Sequence, residues 1–341
     1  MSETVAPVAD APAPTGEPGP RSGRTPAWVG PFLAKYALVV VWAAMSLFFW
    51  TQEPDIFGSS TTFSSIFGGQ QVTIFLAMAI LVTSLVGELD LSFAAVMGLS
   101  ATIIPVLAGV HGWPIWAACL VAILAAVACG AVNAFFVVHQ GVNSLVVTLG
   151  MATLLQGLAQ MISSNAIVSV VSPGFAKVAL FKVLGMPISF YYCLVLALVI
   201  FYVLGWTPLG RAMIFIGSNP EVARLAGIEV QLVRFGAYLV SSLLSGLAGM
   251  ILVSSVGGFD SGQTMSYLLP PLAAVFLGTA VVQPGMFNPI GTLIAIWFLT
   301  TGIFGLQLMG ATGWIQSVFY GGGLVVAIWL AKFVRDRTKT A

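Results

Sequence analysis

Two carboxylates separated by a single leucine, Glu88 and Asp90, follow Gly87 between two long apolar runs. An ionisable side chain within hydrocarbon is costly and usually faces a polar pathway or a partner. Carboxylates also accept hydrogen bonds from hydroxyl groups, so the pair is suited to an interrupted helix that lines a solute route. A tight cytoplasmic turn between two membrane spans is the alternative, and the count of spans favours it.

Four further polar residues within or near apolar runs are candidates for the same route. They are Ser92, Asn133, Asn143 and Thr148. Hydrogen bonds that bridge neighbouring helices are the alternative for each of them, because most polar residues in membrane spans make such bonds.

Residue patterns that carry enzymatic chemistry are missing from the sequence. It contains no GxxxxGK(S/T) loop to hold nucleotide phosphates, no HExxH and no GxSxG, so we expect no catalytic residue. His111 and His139 have no partner at the spacing of a metal site. Cys119, Cys129 and Cys193 lie inside apolar runs, where a thiol behaves as a small hydrophobe. We therefore expect no metal or cofactor on this chain, and energy for any transport must come from elsewhere.

The other concentration of polar residues is the segment 206–234. Between residues 36 and 331 the sequence has twelve charged side chains, and five of them belong to this segment. These five are Arg211, Glu221, Arg224, Glu229 and Arg234. A chain this apolar that carries one elaborate charged loop is expected to present it to a binding partner.

A short helix is predicted within this segment, because Asn219 is a good N-cap and Pro220 suits the first helical position. Glu221 then lies in the first turn, where it favours the helix dipole and can pair with Arg224. Gly227 can end the helix in the left-handed conformation.

A helix of fewer than two turns is too short to be stable alone in water, so this one needs a partner surface. Ala223 and Gly227 share a face, and that slim side could enter a groove on another protein. With Arg211, these helix residues are the predicted docking residues. An amphipathic helix packed on its own bundle is the alternative.

The composition places the chain in a membrane. Of its 341 residues, 59% are hydrophobic and 7% are charged, and the mean hydropathy is +1.03. Apolar runs of roughly 17–25 residues are long enough to cross about 30 Å of hydrocarbon as helices. We predict an all-α polytopic bundle of about ten transmembrane helices, near residues 33–51, 63–87, 91–109, 115–138, 144–163, 188–205, 235–256, 267–282, 289–308 and 313–331. Nucleic acid is not an expected partner, because phosphate binding needs concentrated Lys and Arg.

Positive charge near the spans predicts the orientation, because Lys and Arg accumulate on the cytoplasmic side. They are concentrated before the first span, within 206–234 and after the last span, so both termini and this loop are expected in the cytoplasm. Six spans before the loop and four after it satisfy that arrangement. Lys177 and Lys182 then lie outside, against the charge bias, and their loop is either a second contact surface or a short amphipathic hairpin.

One transmembrane domain is expected over residues 33–331, and it includes the loop 206–234. Residues 1–32 are rich in Pro and Ala and are predicted to be a disordered cytoplasmic tail, and residues 332–341 a second cytoplasmic tail. Rows of small residues predict close packing of the third and seventh spans. These rows are Ala94, Gly98 and Thr102 in the third span, and Ser241, Ser245 and Gly249 with Ser242 and Gly246 in the seventh.

Four segments, in order along the chain, resemble those of ABC importer permeases. The stretch EVARLAG, Glu221 to Gly227, is similar to the EAAxxxG motif of that group, and the longer GRAMIFIGSNPEVARLAGIEV resembles the same loop in ribose/xylose-type carbohydrate importers. The other three resembling segments are VGELDLSFAAVMGLSA, VNSLVVTLGMATLLQGLA and YLLPPLAAVFLGTAVVQPGMFNPIGTLIA. The resemblance covers roughly residues 36–331, and four ordered motifs are far more specific than one.

The resemblance implies a permease subunit that moves a monosaccharide or similar small polyol without converting it. It implies a second copy of the chain forming a homodimeric pore in the lipid bilayer of a bacterial cytoplasmic (inner) membrane. An ABC ATPase subunit would grip the cytoplasmic loops and hold ATP and Mg. An external sugar-binding protein, periplasmic or lipid-anchored, would deliver the solute.

Three positions depart from the pattern of these importers. Glu88 stands where they usually have Gly, Asn143-Ser144 replace a usual proline pair, and Gln283-Pro284-Gly285 replace a Ser/Gly-rich turn. These departures affect the identity of the solute more than the class of transporter. The alternatives are an ABC permease for branched-chain amino acids or another small solute, and a secondary transporter in which Glu88 and Asp90 relay an ion.

Overall fold

The computed structural model describes residues 29–170 and 172–339, and these residues are helical almost throughout. The helices of the first half are α1 (Val29–Gln52), α2 (Pro54–Phe57), α3 (Ser60–Gly68), α4 (Gln71–Leu85), α5 (Phe93–Pro105), α6 (Ile115–Ala134) and α7 (Ser144–Ile162). A π-helical turn, Val106–Val110, extends α5, and another, Phe135–His139, extends α6.

The second half continues with shorter elements between long helices. Its helices are α8 (Pro173–Leu180), α9 (Ile188–Trp206), α10 (Pro208–Ser218), α11 (Pro220–Leu225), α12 (Val230–Val256), α13 (Leu269–Gly278), α14 (Pro289–Leu308) and α15 (Trp314–Lys339), with a 3-10 helix at Ser261–Tyr267. Four two-residue strands form two antiparallel pairs: β1 (Val168–Ser169) pairs with β4 (Gly258–Phe259), and β2 (Lys182–Val183) with β3 (Met186–Pro187).

Seven helical segments in the described part of the chain are long and apolar enough to cross a membrane. They are Ser60–Leu85, Phe93–Val110, Ile115–His139, Ser144–Ile162, Ile188–Trp206, Val230–Val256 and Pro289–Leu308. The apolar parts of α1 and α15, Tyr36–Gln52 and Trp314–Val326, are shorter. The predicted polytopic helical membrane protein is therefore confirmed.

The predicted eighth span, residues 267–282, is shorter in the structure than predicted. This region forms the 10-residue helix α13, which at ~1.5 Å per residue covers only about half of a ~30 Å hydrocarbon core. The side chain of Asn288 holds the turn that follows, because its amide donates to the carbonyls of Gly278 and Val281 at 3.2 and 3.1 Å. The apolar composition matched a span, but these contacts end the helix early.

The core of the bundle is built from α4, α5 and α12. Helix α4 is apolar on every face, and side chains all round it, such as Ile74, Leu76 and Met78, are almost completely buried. A helix that is apolar all round is expected at the centre of a membrane bundle. In contrast, α9 exposes Leu198 and Tyr202 along its length, so it lies at the periphery.

The predicted rows of small residues are places where helices touch closely. A Cβ added to Gly249 of α12 would lie 2.6 Å from the carbonyl oxygen of Met97 in α5. A Cβ on Gly246 would lie 2.8 Å from the side chain of Ala126 in α6. Only small residues permit such an approach, so α12 packs against α5 and α6 along these rows.

The loops gather at two opposite ends of the bundle. At one end, which we call the hairpin end, β1 pairs with β4, and the hydroxyls of Ser163 and Ser261 lie 3.0 Å apart. At the other, which we call the docking end, α10 lies against the end of α4. This grouping follows the predicted span order, and its orientation in the membrane stays a prediction.

At both ends of the chain, the helices extend beyond the predicted boundaries of the spans. Most of the predicted N-terminal tail, residues 1–28, lies outside the described residues, and α1 includes its last four residues, 29–32. At the other end, α15 continues to Lys339, so residues 332–339 of the predicted C-terminal tail are helical.

Candidate functional site

Helix α10 leads the charged loop out of α9 at the docking end. The hydroxyl of Thr207 accepts a hydrogen bond from Gly210 N at 3.2 Å and donates to the carbonyl of Val203 at 2.7 Å. Met213 and Ile216 on the inner face of α10 are buried. Since one face of α10 is buried and its N-terminus is capped, the helix lies firmly on the bundle.

Helix α11 has the termini that its sequence predicts. The Asn219 side-chain oxygen accepts hydrogen bonds from Glu221 N and Val222 N, both at 3.1 Å. Pro220 is its first residue, and Gly227 follows its end with φ of +81°. The predicted N-cap and the predicted left-handed glycine are therefore confirmed.

Two expectations for α11 are wrong. Ala223 is completely buried against its own bundle, whereas Gly227 is exposed, so the two do not form a slim side for a partner. Within the described part of the chain, Glu221 and Arg224 form no ion pair with each other. Both charges are exposed and therefore available to another molecule.

The exposed face of these two helices combines charged and large apolar side chains. Leu225 is 88% exposed and Val222 45% exposed. We define the docking surface as the exposed residues of α10, α11 and the glycine that follows: Leu209, Arg211, Phe215, Glu221, Val222, Arg224, Leu225 and Gly227. Apolar anchors beside arginine are typical of a protein interface.

A buried polar cluster lies between α4 and α5, and Asp90 is at its centre. Ser92 donates to Asp90 Oδ1 from both its backbone N and its hydroxyl, at 2.9 and 2.6 Å, and Ser241 Oγ donates to Oδ2 at 3.2 Å. Asn133 Nδ2 donates to Ser92 Oγ at 2.8 Å, and Thr148 Oγ1 accepts from Leu91 N at 3.1 Å. We call Asp90, Ser92, Asn133, Thr148 and Ser241 the Asp90 cluster.

All five side chains of the Asp90 cluster are inaccessible to solvent. Burial raises the pKa of the Asp90 carboxyl above its ordinary value, and the hydrogen bonds from Ser92 and Ser241 lower it in part. The oxygen of the Asn133 amide has no partner within the described part of the chain. The Asp90 carboxylate thus joins the start of α5 to α12, while α6 is attached through the Ser92 hydroxyl and α7 through the backbone of Leu91.

Glu88 lies at the edge of this cluster, in the turn that ends α4. Gly87 has φ of +81°, and Glu88 N donates to the carbonyl of Thr83 at 3.1 Å, which closes the helix. The Glu88 carboxylate forms an ion pair with Arg234 at the start of α12, with Oε1 to Nη1 at 3.3 Å. The two carboxylates therefore occupy a turn at the docking end.

The structure gathers most of the predicted path residues in one place. Asp90, Ser92, Asn133 and Thr148 form the cluster, and Glu88 adjoins it. Their assignment to a solute route stays a prediction, since in this conformation their polar groups are enclosed by the chain itself.

Asn143 lies apart from the cluster. It is exposed, and its side-chain oxygen caps α7 by accepting from Leu145 N at 3.0 Å and Val146 N at 3.4 Å. A local role as a helix cap accounts for this residue.

Two residues of the site were not recognised as such from the sequence. The sequence pattern indicates only close packing for Ser241 and only a loop charge for Arg234. They are seven residues apart, which places them on one face of α12. Two polar residues on the same face as small packing residues are the signal that could have identified them.

At the hairpin end, Lys177 and Lys182 are exposed on either side of the end of α8. Phe175 and Ala179 are buried on the other face of α8, and Ser254 Oγ donates to the Phe175 carbonyl at 2.7 Å. Helix α8 is therefore an amphipathic element that packs on the bundle. A second contact surface formed by the two exposed lysines stays a prediction.

Comparison with known proteins matches this chain to transport permeases. Residues 62–328 match a family described as branched-chain amino acid transport system / permease component. The autoinducer 2 import system permease protein LsrD of Escherichia coli strain K12 is 33% identical over 248 residues, which cover 71% of this chain and 75% of the relative. The proteins of the same name from Shigella flexneri and Escherichia coli O157:H7 match with the same identity and coverage.

Proposed function

This chain belongs to the family of permease components of ABC importers, and we propose that its solute is a monosaccharide or a similar small polyol. As a multi-pass membrane protein and transport subunit, it provides the passage for the solute. We place it in the cytoplasmic (inner) membrane of a bacterium, with the docking end in the cytoplasm.

The docking surface is the observation that carries this proposal. It holds exposed Leu225 and Val222 beside Glu221 and Arg224, which have no ion pair in the described part of the chain, on a helix that is capped at both ends. A surface of this kind is suited to a protein partner rather than to water. We assign that partner as an ABC ATPase, which binds ATP and Mg on its own chain.

Two further partners complete the proposed assembly. An external binding protein delivers the solute at the hairpin end, and a second copy of the chain forms the other half of the pore. Closure of the paired ATPases moves α10 and α11, and the movement switches the pore between inward and outward access. No chemical conversion of the solute is involved.

The choice of solute rests on two observations. The four ordered segments resemble those of carbohydrate importers, and the similar proteins carry the name of autoinducer 2 import. The family description instead names branched-chain amino acids, so an amino-acid solute is the second candidate.

An importer driven by an ion gradient is disfavoured by the state of the two carboxylates. Glu88 is paired with Arg234, and Asp90 accepts three hydrogen bonds inside the bundle. Neither carboxylate faces an open path in this conformation, and the match to a permease-component family favours ATP on a partner chain as the source of energy.

The test is uptake by sealed vesicles that contain the chain with its native partners. The vesicles receive labelled pentoses, hexoses, autoinducer 2 or branched-chain amino acids, with ATP and an ionophore that removes ion gradients. We expect ATP-dependent uptake of a sugar-type solute with the ionophore present. Uptake that needs a gradient but no ATP would refute the proposal, and ATP-dependent uptake of amino acids alone would correct the solute.

A further inference from the structure

The loop between α4 and α5, residues 86–92, touches both the docking helices and the core. We call it the joint loop. It carries Glu88 and Asp90, and it lies where α10 meets the bundle. Its contacts show how a movement of the docking surface can reach the centre of the membrane domain.

The first contact of the joint loop is with α10, where the two backbones approach closely at a pair of glycines. A Cβ on Gly217 would overlap the carbonyl oxygen of Leu85 and would lie 3.4 Å from Gly87 N. A Cβ on Gly87 would lie 3.5 Å from the Cα of Gly217. Two glycines thus bring the end of α10 directly onto the joint loop.

The second contact is with α12, at two points on one face. Glu88 pairs with Arg234 at 3.3 Å, and Asp90 accepts from Ser241 at 3.2 Å. Residues seven apart are two helical turns apart, about 10 Å along the axis. The joint loop therefore contacts α12 at two separate points along its axis, Arg234 and Ser241.

The two points differ in character. The Asp90 contact is enclosed and is held by hydrogen bonds to Ser92 as well. The Glu88–Arg234 pair is partly accessible, with side chains 10% and 26% exposed, and Arg234 Nε has no partner within the described residues. Glu88 and Arg234 therefore meet at one pair of atoms 3.3 Å apart, whereas three hydrogen bonds hold the Asp90 carboxylate.

We propose that Glu88 and Arg234 are positioning residues, and that their ion pair transmits the movement of the docking helices to α12. This inference rests on the proposed ATP-driven import. The ion pair couples ATP hydrolysis to the rearrangement of the core, and contact with the solute is not part of its role.

The test compares transport per ATP hydrolysed in the complete importer, reconstituted in liposomes. The single variants are Glu88→Gln and Arg234→Gln, the conservative variant is Arg234→Lys, and the charge-exchanged variant combines Glu88→Lys with Arg234→Glu. Glu53→Gln, an exposed carboxylate without an ion pair in the described part of the chain, is the control. Thermal stability and ATPase association are measured for each variant.

We expect each neutral single variant to lower the ratio of solute moved to ATP hydrolysed by at least about fivefold, the lower range of typical coupling between sites. Each neutral single variant leaves the other, largely buried charge without its partner, so some loss of thermal stability is expected, and the charge-exchanged pair should recover it. Assembly should persist, because neither residue belongs to the docking surface. Arg234→Lys, the charge-exchanged pair and Glu53→Gln should keep a ratio near that of wild type.

A wild-type ratio in Glu88→Gln would overturn the inference. So would an unrescued loss in both Arg234→Lys and the charge-exchanged pair, because a loss that charge does not restore is structural. If a single variant does not assemble, these two variants still decide the question. Absence of ATP-driven uptake by the wild-type importer would instead refute the proposed function itself.

Discussion

The docking surface and the Asp90 cluster are both polar regions at one end of an apolar bundle, but they differ in the exposure and the hydrogen bonding of their polar groups. On the docking surface, Glu221 and Arg224 are exposed and unpaired in the described part of the chain. In the cluster, the Asp90 carboxylate accepts three hydrogen bonds and has no exposed surface.

The docking surface is therefore suited to binding a partner, and the Asp90 cluster to holding helices in place. Polar groups that a chain leaves exposed, beside apolar side chains such as Leu225, are free to bind a partner. Polar groups that are satisfied inside the chain hold helices in a fixed arrangement. The joint loop contacts both α10 and the Asp90 cluster, and the coupling that we propose runs through it.

The largest effect is expected at Asp90. Asp90→Ala removes the acceptor of Ser92 and Ser241 and leaves their buried hydroxyls unsatisfied, which should destabilise the bundle by about 2–4 kcal/mol. The melting temperature in detergent measures this loss. Asp90→Asn keeps one acceptor oxygen and should cost clearly less, and equal melting temperatures for Asp90→Ala and wild type would show that the cluster is not structural.

The contact between the two regions should give the next largest effect. Gly217→Ala places a Cβ against the Leu85 carbonyl oxygen, and backbone cannot move aside cheaply, so a cost of about 1–3 kcal/mol is expected. Gly236→Ala in α12 is the control, because its Cβ would have no neighbour within 4 Å. If both variants have the same melting temperature, α10 does not bear on the joint loop as described.

A substitution on the docking surface should weaken association with the ATPase without changing the stability of the chain. Leu225→Asp changes a side chain that is 88% exposed, so the stability of the chain should change by less than ~0.5 kcal/mol. Association with the ATPase, measured by titration in detergent, should weaken about tenfold or more, because a central apolar anchor is lost. Leu184→Asp at the hairpin end, where Leu184 is 93% exposed, should leave that association unchanged.

The smallest effect is a change of stability with pH. Because burial raises the pKa of Asp90, the folded chain binds a proton more tightly than the unfolded chain does. Wild type should therefore gain stability relative to Asp90→Asn as pH falls towards the ordinary aspartate pKa, and lose that gain as pH rises through the raised pKa. Parallel melting temperatures of the two proteins across this range would contradict the assignment.

Local features of the docking end could be predicted from the sequence. The cap by Asn219 and the left-handed Gly227 depend on residues within a few positions of α11, and both are confirmed. The burial of Ala223 could not be predicted, because it depends on which part of the bundle lies beneath the helix.

The arrangement of the Asp90 cluster depends on residues far apart in the chain. Ser92, Asn133 and Thr148 were selected as polar residues, but Asn133 meets Ser92 across 41 positions and Ser241 meets Asp90 across 151. Composition could not predict these contacts, because the residues are far apart in the sequence. The same limit explains α13, whose apolar sequence resembles a full span although its contacts with the following turn end it after 10 residues.

The most direct test of the central claim is photo-cross-linking from position 225 in the assembled importer. A photoreactive amino acid replaces Leu225 in one variant and Leu184 in another, and the cross-linked protein is identified by its sequence. We predict that position 225 captures a chain that contains a GxxxxGK(S/T) loop and that position 184 does not. Capture of such a chain only from position 184, or of no other chain from position 225, would contradict the account.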